Sequence, residues 1–428
     1  MTGRDDLPDH AGEPDRAGAG GAGIAVTTRP DAVLAELAAW QAGIRAQFPI
    51  LAGRPEVYLD SAATTQKPQT VLDAVHEYLT TCNANAGRGS YPWAERTTTL
   101  VDRARAGIAA FLDDPDPQRS VVHLLAGTTS ALRTLALDWL VDHLADGDEI
   151  VVPTADHQAN VRPWLEARDV LARRGVRIGV REMPYEPSGD YDPVALAALV
   201  TPRTRFVAVT HVHHVFGADM NVHRIRDVVG PDVVICLDAA QSVGHLPVSL
   251  RRLDVDFLAF SGHKAMALPG IGVLWARNAR GRPYSPRGWD GSPNTTGLIS
   301  LETALTWLQH SGLDQIARWT VALGARLTDR LNELDSYRVL GCQDSLAAGS
   351  ATQRRQGIVT FRHRSIPASD LGFVLSEQGF MVRADSHCQA GVAQRDASVR
   401  VSLHADNTPD EIDRLVALLT ALDDRRRP

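Results

Sequence analysis

Phe257-Leu258-Ala259-Phe260-Ser261-Gly262-His263-Lys264 is the stretch that decides how this chain reads. Four apolar residues make a short buried run, and a polar turn follows that ends on a lysine. The small-residue stretch Ala265-Met266-Ala267-Leu268-Pro269-Gly270 comes next. A lysine in that setting can sit in a closed, partly apolar pocket, where its pKa falls and its amine becomes nucleophilic. Upstream, Val233-Val234-Ile235-Cys236-Leu237 runs into Asp238. That places a carboxylate at the C-terminal mouth of a buried strand, where open α/β sheets hold ligands.

Working outward, the same texture repeats. Apolar, β-rich runs fall at 120–125, 149–152, 205–209, 233–237, 257–260 and 272–275. Helical spacing at 129–143 and 161–174 separates some of them. Strands alternating with helices predict an α/β fold with a mostly parallel sheet covered on both faces. The texture changes after Pro293. A long helical region spans 301–332, followed by isolated strands at 357–361, 380–383 and 399–403 and a closing helix. Thr408 caps that helix, Pro409 takes its first position and Glu411 completes a capping box. The expected division is a disordered tail at 1–28, rich in Gly, Ala, Asp and Pro, and an N-terminal helix at 29–50 packing on the small domain. A large domain at 51–300 and a smaller α+β domain at 301–428 complete it.

Several loops at one sheet edge carry ligand-like chemistry. Gly127-Thr128-Thr129 follows a strand and opens a helix, so free N–H groups and hydroxyls can meet a phosphate, although Thr128 could equally be a plain N-cap. Asp156-His157 follows another strand, and a flat imidazole there can stack on an aromatic ring or be an ordinary core histidine. Asp238-Ala239-Ala240-Gln241 sets an amide three residues after the carboxylate, and that Asp could by itself be a helix cap. Taken with Lys264, a buried carboxylate facing a protonated pyridine nitrogen is the pairing that pyridoxal 5′-phosphate (PLP) requires. Cys388 lies among polar and small residues, with His387 and Arg383 able to favour its thiolate. Cys236, inside an apolar strand, reads as inert core. Arg400, flanked by Val399 and Val401, suits a bidentate grip on an amino-acid carboxylate, or an ion pair between domains.

Composition excludes other classes. The chain has 428 residues, 44% hydrophobic and 22% charged, which is ordinary globular material. A net charge of −7 leaves no basic block for nucleic acid beyond Arg425-Arg426-Arg427. The four cysteines, Cys82, Cys236, Cys342 and Cys388, form no CxxC pair, which argues against a zinc site or a disulfide framework. No apolar run is long enough to span a membrane, and the N-terminus lacks a signal-peptide pattern, so a cytoplasmic location is expected.

As a set, the residues resemble the class V aminotransferase superfamily of fold-type I PLP enzymes. More narrowly, they look like its SUF-type cysteine desulfurases and selenocysteine lyases. The pieces that carry the resemblance span the folded chain. They are Tyr58-Leu59-Asp60-Ser61-Ala62-Ala63-Thr64-Thr65, Gly127-Thr128-Thr129, His157 with Asn160 and Pro163-Trp164, Asp238 to Ser242, Ser261 to Lys264, Ser292-Pro293-Asn294-Thr295, His387-Cys388, and Arg400 with Asn407-Thr408. The resemblance implies a fold-type I architecture, a mostly parallel seven-stranded sheet plus a smaller C-terminal domain. It implies that Lys264 carries the cofactor as an aldimine and moves the Cα proton. Asp238 would bind the ring nitrogen, Gln241 the ring hydroxyl, and His157 would stack on the ring. Thr128, Thr129, Ser261 and His263 would hold the phosphate, with Ser292 reaching it from the partner subunit of a homodimer. Arg400, helped by Arg383 and Asn160 and bordered by His214, would bind the substrate. Cys388 would take sulfur as a persulfide and release alanine, and a sulfur-acceptor protein would follow.

The chain departs from the family pattern at Gly87, Ala126, His214 and Ser386, where His, Arg, Asn and His are usual. The segment between Trp275 and Ser292 is short, as is the loop from Cys388 to Arg400. Two readings of the activity follow. The first is cleavage of the C–S bond of L-cysteine or a related amino acid, in a specialised pathway. The second is a PLP-dependent aminotransferase, epimerase or β-lyase without persulfide chemistry, motivated by His214 and Gly87. A non-catalytic binding relative would need neither Lys264, Asp238 nor His157.

Overall fold

The computed structural model describes residues 29–186, 189–278, 283–286, 293–341, 355–393 and 396–424. In chain order the strands are β1 (Val57–Tyr58), β2 (Val121–Leu125), β3 (Glu149–Val152), β4 (Gly179–Glu182), β5 (Thr204–Thr210), β6 (Val234–Asp238), β7 (Phe257–Ser261) and β8 (Gly272–Ala276), then β9 (Tyr337–Val339), β10 (Ile358–His363), β11 (Phe380–Met381), β12 (Arg383–Asp385) and β13 (Ser398–Ser402). Strands β2 to β8 form a seven-stranded sheet in the order β2-β8-β7-β6-β5-β3-β4. Only β8 runs antiparallel to its neighbours β2 and β7. The fold is the expected fold-type I α/β arrangement.

The strands read as continuous apolar runs because both sheet faces are buried. Along β5 and β6, Val207, Val209, Ile235 and Leu237 join one core, while Phe206, Ala208, Val234 and Cys236 join the other. The period of two thus divides one run between two cores. Side chains cannot leave these strands without opening a packed layer, so the chemistry is displaced to the strand ends.

The smaller unit has a four-stranded antiparallel sheet in the order β12-β13-β10-β9. Val33, Leu34 and Leu37 of the N-terminal helix Pro30–Arg45 share its apolar core with Trp319, Leu323, Val359 and Phe361. Strand β1 pairs in parallel with β11, and Asp60 bridges to Ser402. The chain therefore passes through the small unit before it enters the large sheet.

Four local expectations change. Strand β4 was not anticipated; it lies at the sheet edge, with Arg181 and Glu182 exposed, so its sequence lacks an apolar signature. The helical stretch expected at 129–143 is α-helical over Thr128–Thr134 only, then passes into a π turn at Leu135–Trp139 and a 3₁₀ turn at Leu140–Asp142. The long helix expected at 301–332 is two helices, Thr295–Ser311 and Leu313–Asn332. Gly312, at φ 89°, makes the break that glycine permits. The boundary drawn at 300/301 falls inside the first of these helices. The closing helix starts as read: Thr408 N–H donates to Glu411 Oε2 at 3.1 Å and Glu411 N–H to Thr408 Oγ1 at 3.2 Å.

Candidate active site

Strands β2, β3, β5, β6 and β7 present their C-terminal ends at one edge of the sheet, and the loops that follow them build the site. Strand β7 ends at Ser261 and turns directly into the 3₁₀ turn Gly262–Lys264. Gly262 N–H donates to Ile271 O at 2.9 Å, and Ala265 and Ala267 N–H both return to Gly262 O, so the backbone carrying Lys264 is fixed on both sides. Burial lowers the Lys264 pKa to about 8; the Asp238 carboxylate opposes that shift, while Arg400 and Arg383 reinforce it. One lysine amine therefore feels the carboxylates of Asp238 and Asp60 and the guanidinium groups of Arg383 and Arg400, which are far apart in the sequence.

Asp238 closes β6 and is buried. Its Oδ1 accepts Ala240 N–H at 2.9 Å. Burial pushes its pKa up, against the pull of that N–H and of Lys264. A buried carboxylate held at a strand mouth is suited to a cationic partner. Three residues on, Gln241 donates Nε2 to Ala62 O at 3.0 Å, and its buried Oε1 has no hydrogen-bond partner.

Thr128 and Ser261 meet across the loops after β2 and β7. Thr128 N–H donates to Ser261 Oγ at 2.8 Å, and the two hydroxyls lie 2.8 Å apart. The cup they form is tight: a Cβ on Gly272 would stand 2.4 Å from Gly127 Cα. Thr129 is exposed at the start of the helix, and His263 is half-buried, with burial lowering its pKa to about 4. Hydroxyls, free helical N–H groups and a close backbone approach are what a phosphate group needs.

His157 follows β3. Its Nδ1 accepts Ala159 N–H at 3.1 Å, and burial with the nearby Lys264 cation holds its pKa near about 3, so it is a neutral, flat imidazole. His214 stands edge-on to it, ring centroids 5.1 Å apart, and its buried Nε2 has no partner. Burial pulls the His214 pKa well below its usual value. Asn160, which the resemblance gives as a helper in substrate binding, has its amide engaged within the protein. Its Nδ2 donates to Val209 O at 3.2 Å and its Oδ1 accepts Trp164 Nε1–H at 3.2 Å, so the amide braces the loop from within.

Arg400 is 1% exposed. Its Nη2 donates to Asp60 Oδ1 at 3.0 Å and its Nη1 to His214 O at 3.1 Å, while Nε has no partner. The ion pair that sequence reading offered as one alternative is thus present, and Asp60 is the residue that reading missed. Arg383 donates Nε to both carboxylate oxygens of Asp385 at 3.0 Å and Nη2 to Cys388 Sγ at 3.2 Å. His387 and Cys388 both adopt left-handed backbone, at φ 56° and 57°. Ser398 Oγ lies 2.9 Å from His387 Nε2, and Asp385 Oδ1 accepts the His387 backbone N–H. The turn is docked on the His157 loop, with Gln158 N–H donating to Cys388 O at 3.0 Å. Ser292 lies outside the described residues.

PLP fits these residues. Ser61 Oγ, Gln241 Oε1, His214 Nε2 and Arg400 Nε are buried polar atoms without partners, His214 and Arg400 lie within electrostatic reach of Lys264, and the close Gly127–Gly272 approach leaves a cup that a phosphate would fill. Among the described residues, no cluster of His, Cys, Asp and Glu could hold a metal ion, and no helix is long and apolar enough to cross a membrane.

Comparison with known proteins agrees. Residues 57–415 match the family model described as aminotransferase class-V. A probable cysteine desulfurase of Vibrio cholerae is 31% identical over 407 residues, covering 88% of this chain and 96% of that protein. The cysteine desulfurase CsdA of Escherichia coli is 31% identical over 405 residues, covering 88% and 96%. The crystal structure of CsdA superposes with a TM-score of 0.74 at 29% identity, over 89% of this chain and 98% of that one. The apo structure of a cysteine desulfurase from Thermococcus onnurineus NA1 shares the fold, with a TM-score of 0.79 over 90% and 98% of the two chains, at 24% identity.

Proposed function

The chain belongs to the class-V aminotransferase family, and from that premise we propose that it is a PLP-dependent cysteine desulfurase, a carbon–sulfur lyase acting on L-cysteine or a related amino acid. The observation that carries the proposal is the convergence on Lys264 of the Asp238 carboxylate from the large sheet and the Arg383 and Arg400 guanidiniums from the small one. Arg383 in turn holds Cys388 Sγ.

Lys264 would anchor the cofactor, Asp238 would face its ring nitrogen and His157 its ring plane, and Thr128, Ser261 and His263 would hold its phosphate. When bound, PLP supplies an electron sink that stabilises negative charge at the substrate Cα. With an amine that is neutral above about pH 8, Lys264 can take and return the Cα proton. Arg400 Nη1 and Nη2 each spend one N–H, on His214 O and Asp60 Oδ1, so Nε–H and the second N–H of each Nη are the donors left for a substrate carboxylate. Cys388, as thiolate, attacks the substrate sulfur. The S–S bond forms as the Cβ–S bond breaks, the electron pair stays on Cβ, and a proton there completes alanine. The persulfide then passes to a thiol acceptor, in this reading a partner protein in the cytoplasm.

The anchor is tested by reducing the holoenzyme with borohydride and mapping its peptides. A pyridoxyl group on Lys264 supports the proposal; an unmodified Lys264 refutes it.

A further inference from the structure

The turn that carries His157 is gripped from two directions. On one side is the carboxylate of Asp156, which is 1% exposed. Its Oδ1 accepts Tyr185 O–H at 2.8 Å and its Oδ2 accepts Tyr191 O–H at 2.9 Å. Tyr191 has one hydroxyl proton, and its oxygen already accepts Thr210 N–H at 2.7 Å. The proton must therefore point at Asp156, which fixes that carboxylate as the acceptor. Thr210 ends β5, so the network ties residue 156 to the rigid sheet. Tyr185 and Tyr191 pair with each other as a β-bridge, which makes the two donors one unit.

On the other side is the cysteine turn. Ala390 N–H donates to Asp156 O at 2.9 Å, Gln389 Nε2 donates to Ala155 O at 2.8 Å, and Gln158 N–H donates to Cys388 O at 3.0 Å. His387 and Cys388 occupy left-handed backbone that non-glycine residues avoid, so this turn needs outside contacts to persist. Three of those contacts fall on residues 155 to 158. Asp156 joins both sides, its carboxylate to the tyrosines and its carbonyl to the cysteine turn.

We propose that Asp156, fixed by Tyr185 and Tyr191, is a positioning residue for sulfur transfer: it sets the Cys388 turn in register with the His157 loop. The proposal rests on the desulfurase reading and adds to it the residues that aim the nucleophile. It assigns no contact with substrate to any of the three.

The test uses holoenzyme carrying Asp156→Asn or Tyr185→Phe. The half-buried Tyr185 gives the gentler change should the buried Asp156 variant fail to fold. Two rates are compared. Exchange of the Cα hydrogen of L-alanine for solvent deuterium needs Lys264 and the cofactor but no nucleophilic cysteine. Persulfide formation on Cys388 in a single turnover with L-cysteine needs both. Misaiming one reacting atom by about 1 Å can cost about a hundredfold. The expected result is exchange within about twofold of wild type, with persulfide formation slower by about tenfold or more. Equal losses in both rates would make the network merely structural, and unchanged rates would leave it without a role; either overturns the proposal. If wild type forms persulfide while both variants match it, this inference alone falls. If wild type exchanges the Cα hydrogen and forms no persulfide, the desulfurase reading falls with it.

Discussion

Arg383 Nη2 lies 3.2 Å from Cys388 Sγ, while the same guanidinium is chelated by both oxygens of Asp385. We propose that Arg383 serves Cys388 in addition to the substrate-binding help that the family resemblance implies. Asp385 holds the guanidinium through Nε, and Nη2 faces Cys388 Sγ. A charge-assisted donor on sulfur orients it.

Arg383→Ala should therefore leave the holoenzyme absorbance unchanged and slow the first-turnover persulfide burst by about tenfold to a hundredfold. Quenched-flow measurement of persulfide separates this from a loss of affinity, which would raise the L-cysteine concentration needed without changing the burst at saturation.

The proposed phosphate cup leaves no room for a side chain at position 272. A Cβ there would stand 2.4 Å from Gly127 Cα and 2.7 Å from Phe260 O, both backbone atoms. Gly272→Ala should destabilise the fold by about 1–3 kcal/mol and lower bound PLP, because the strand and the Thr128 loop must separate. Thermal unfolding of the apo and holo forms, with cofactor content by absorbance, checks both effects.

Lys264 gives a pH signature. Its folded pKa of about 8 lies below the ordinary 10.5, with burial the main cause. Capture of added PLP by the apoenzyme should accelerate as pH rises towards about 8 and level off above it, whereas a solvent-exposed lysine would go on accelerating towards 10. The same depression fixes the sign of the group's contribution to stability. It is unfavourable below about pH 8, where both folded and unfolded lysines are charged, and is relieved as pH rises from there towards 10.5. Stopped-flow absorbance across pH 6–10 reads the first effect.

Arg400 and Asp60 form a pair at 3.0 Å in which the arginine is fully buried. Removing one partner strands the other, so Arg400→Met should cost about 3–5 kcal/mol in urea unfolding. Adding Asp60→Asn should recover part of that stability but none of the affinity for L-cysteine, because the guanidinium stays absent.

Much of this site is local in the chain, and that is why it could be read. Asp238 and Lys264 each end or follow an apolar strand within a few residues, and the Thr408–Glu411 capping box is complete in four. The unread parts depend on contacts distant in sequence or on weak patterns. Asp60 and Arg400 meet only because β1 runs beside the small sheet. Tyr185 and Tyr191 sit in a segment with no periodicity, so nothing marked them as partners of Asp156. Strand β4 is polar because it is an edge. Asn160 enters through the family resemblance alone, which does not show that its amide is occupied by Val209 and Trp164.

The central claim is most directly tested by a single turnover of the holoenzyme with L-cysteine, with the amino-acid product and the Cys388 peptide both identified by mass spectrometry. The account predicts one alanine for each Cys388 carrying an added sulfur. Pyruvate or another keto acid, with Cys388 unmodified, would contradict it and would point to PLP chemistry without sulfur transfer.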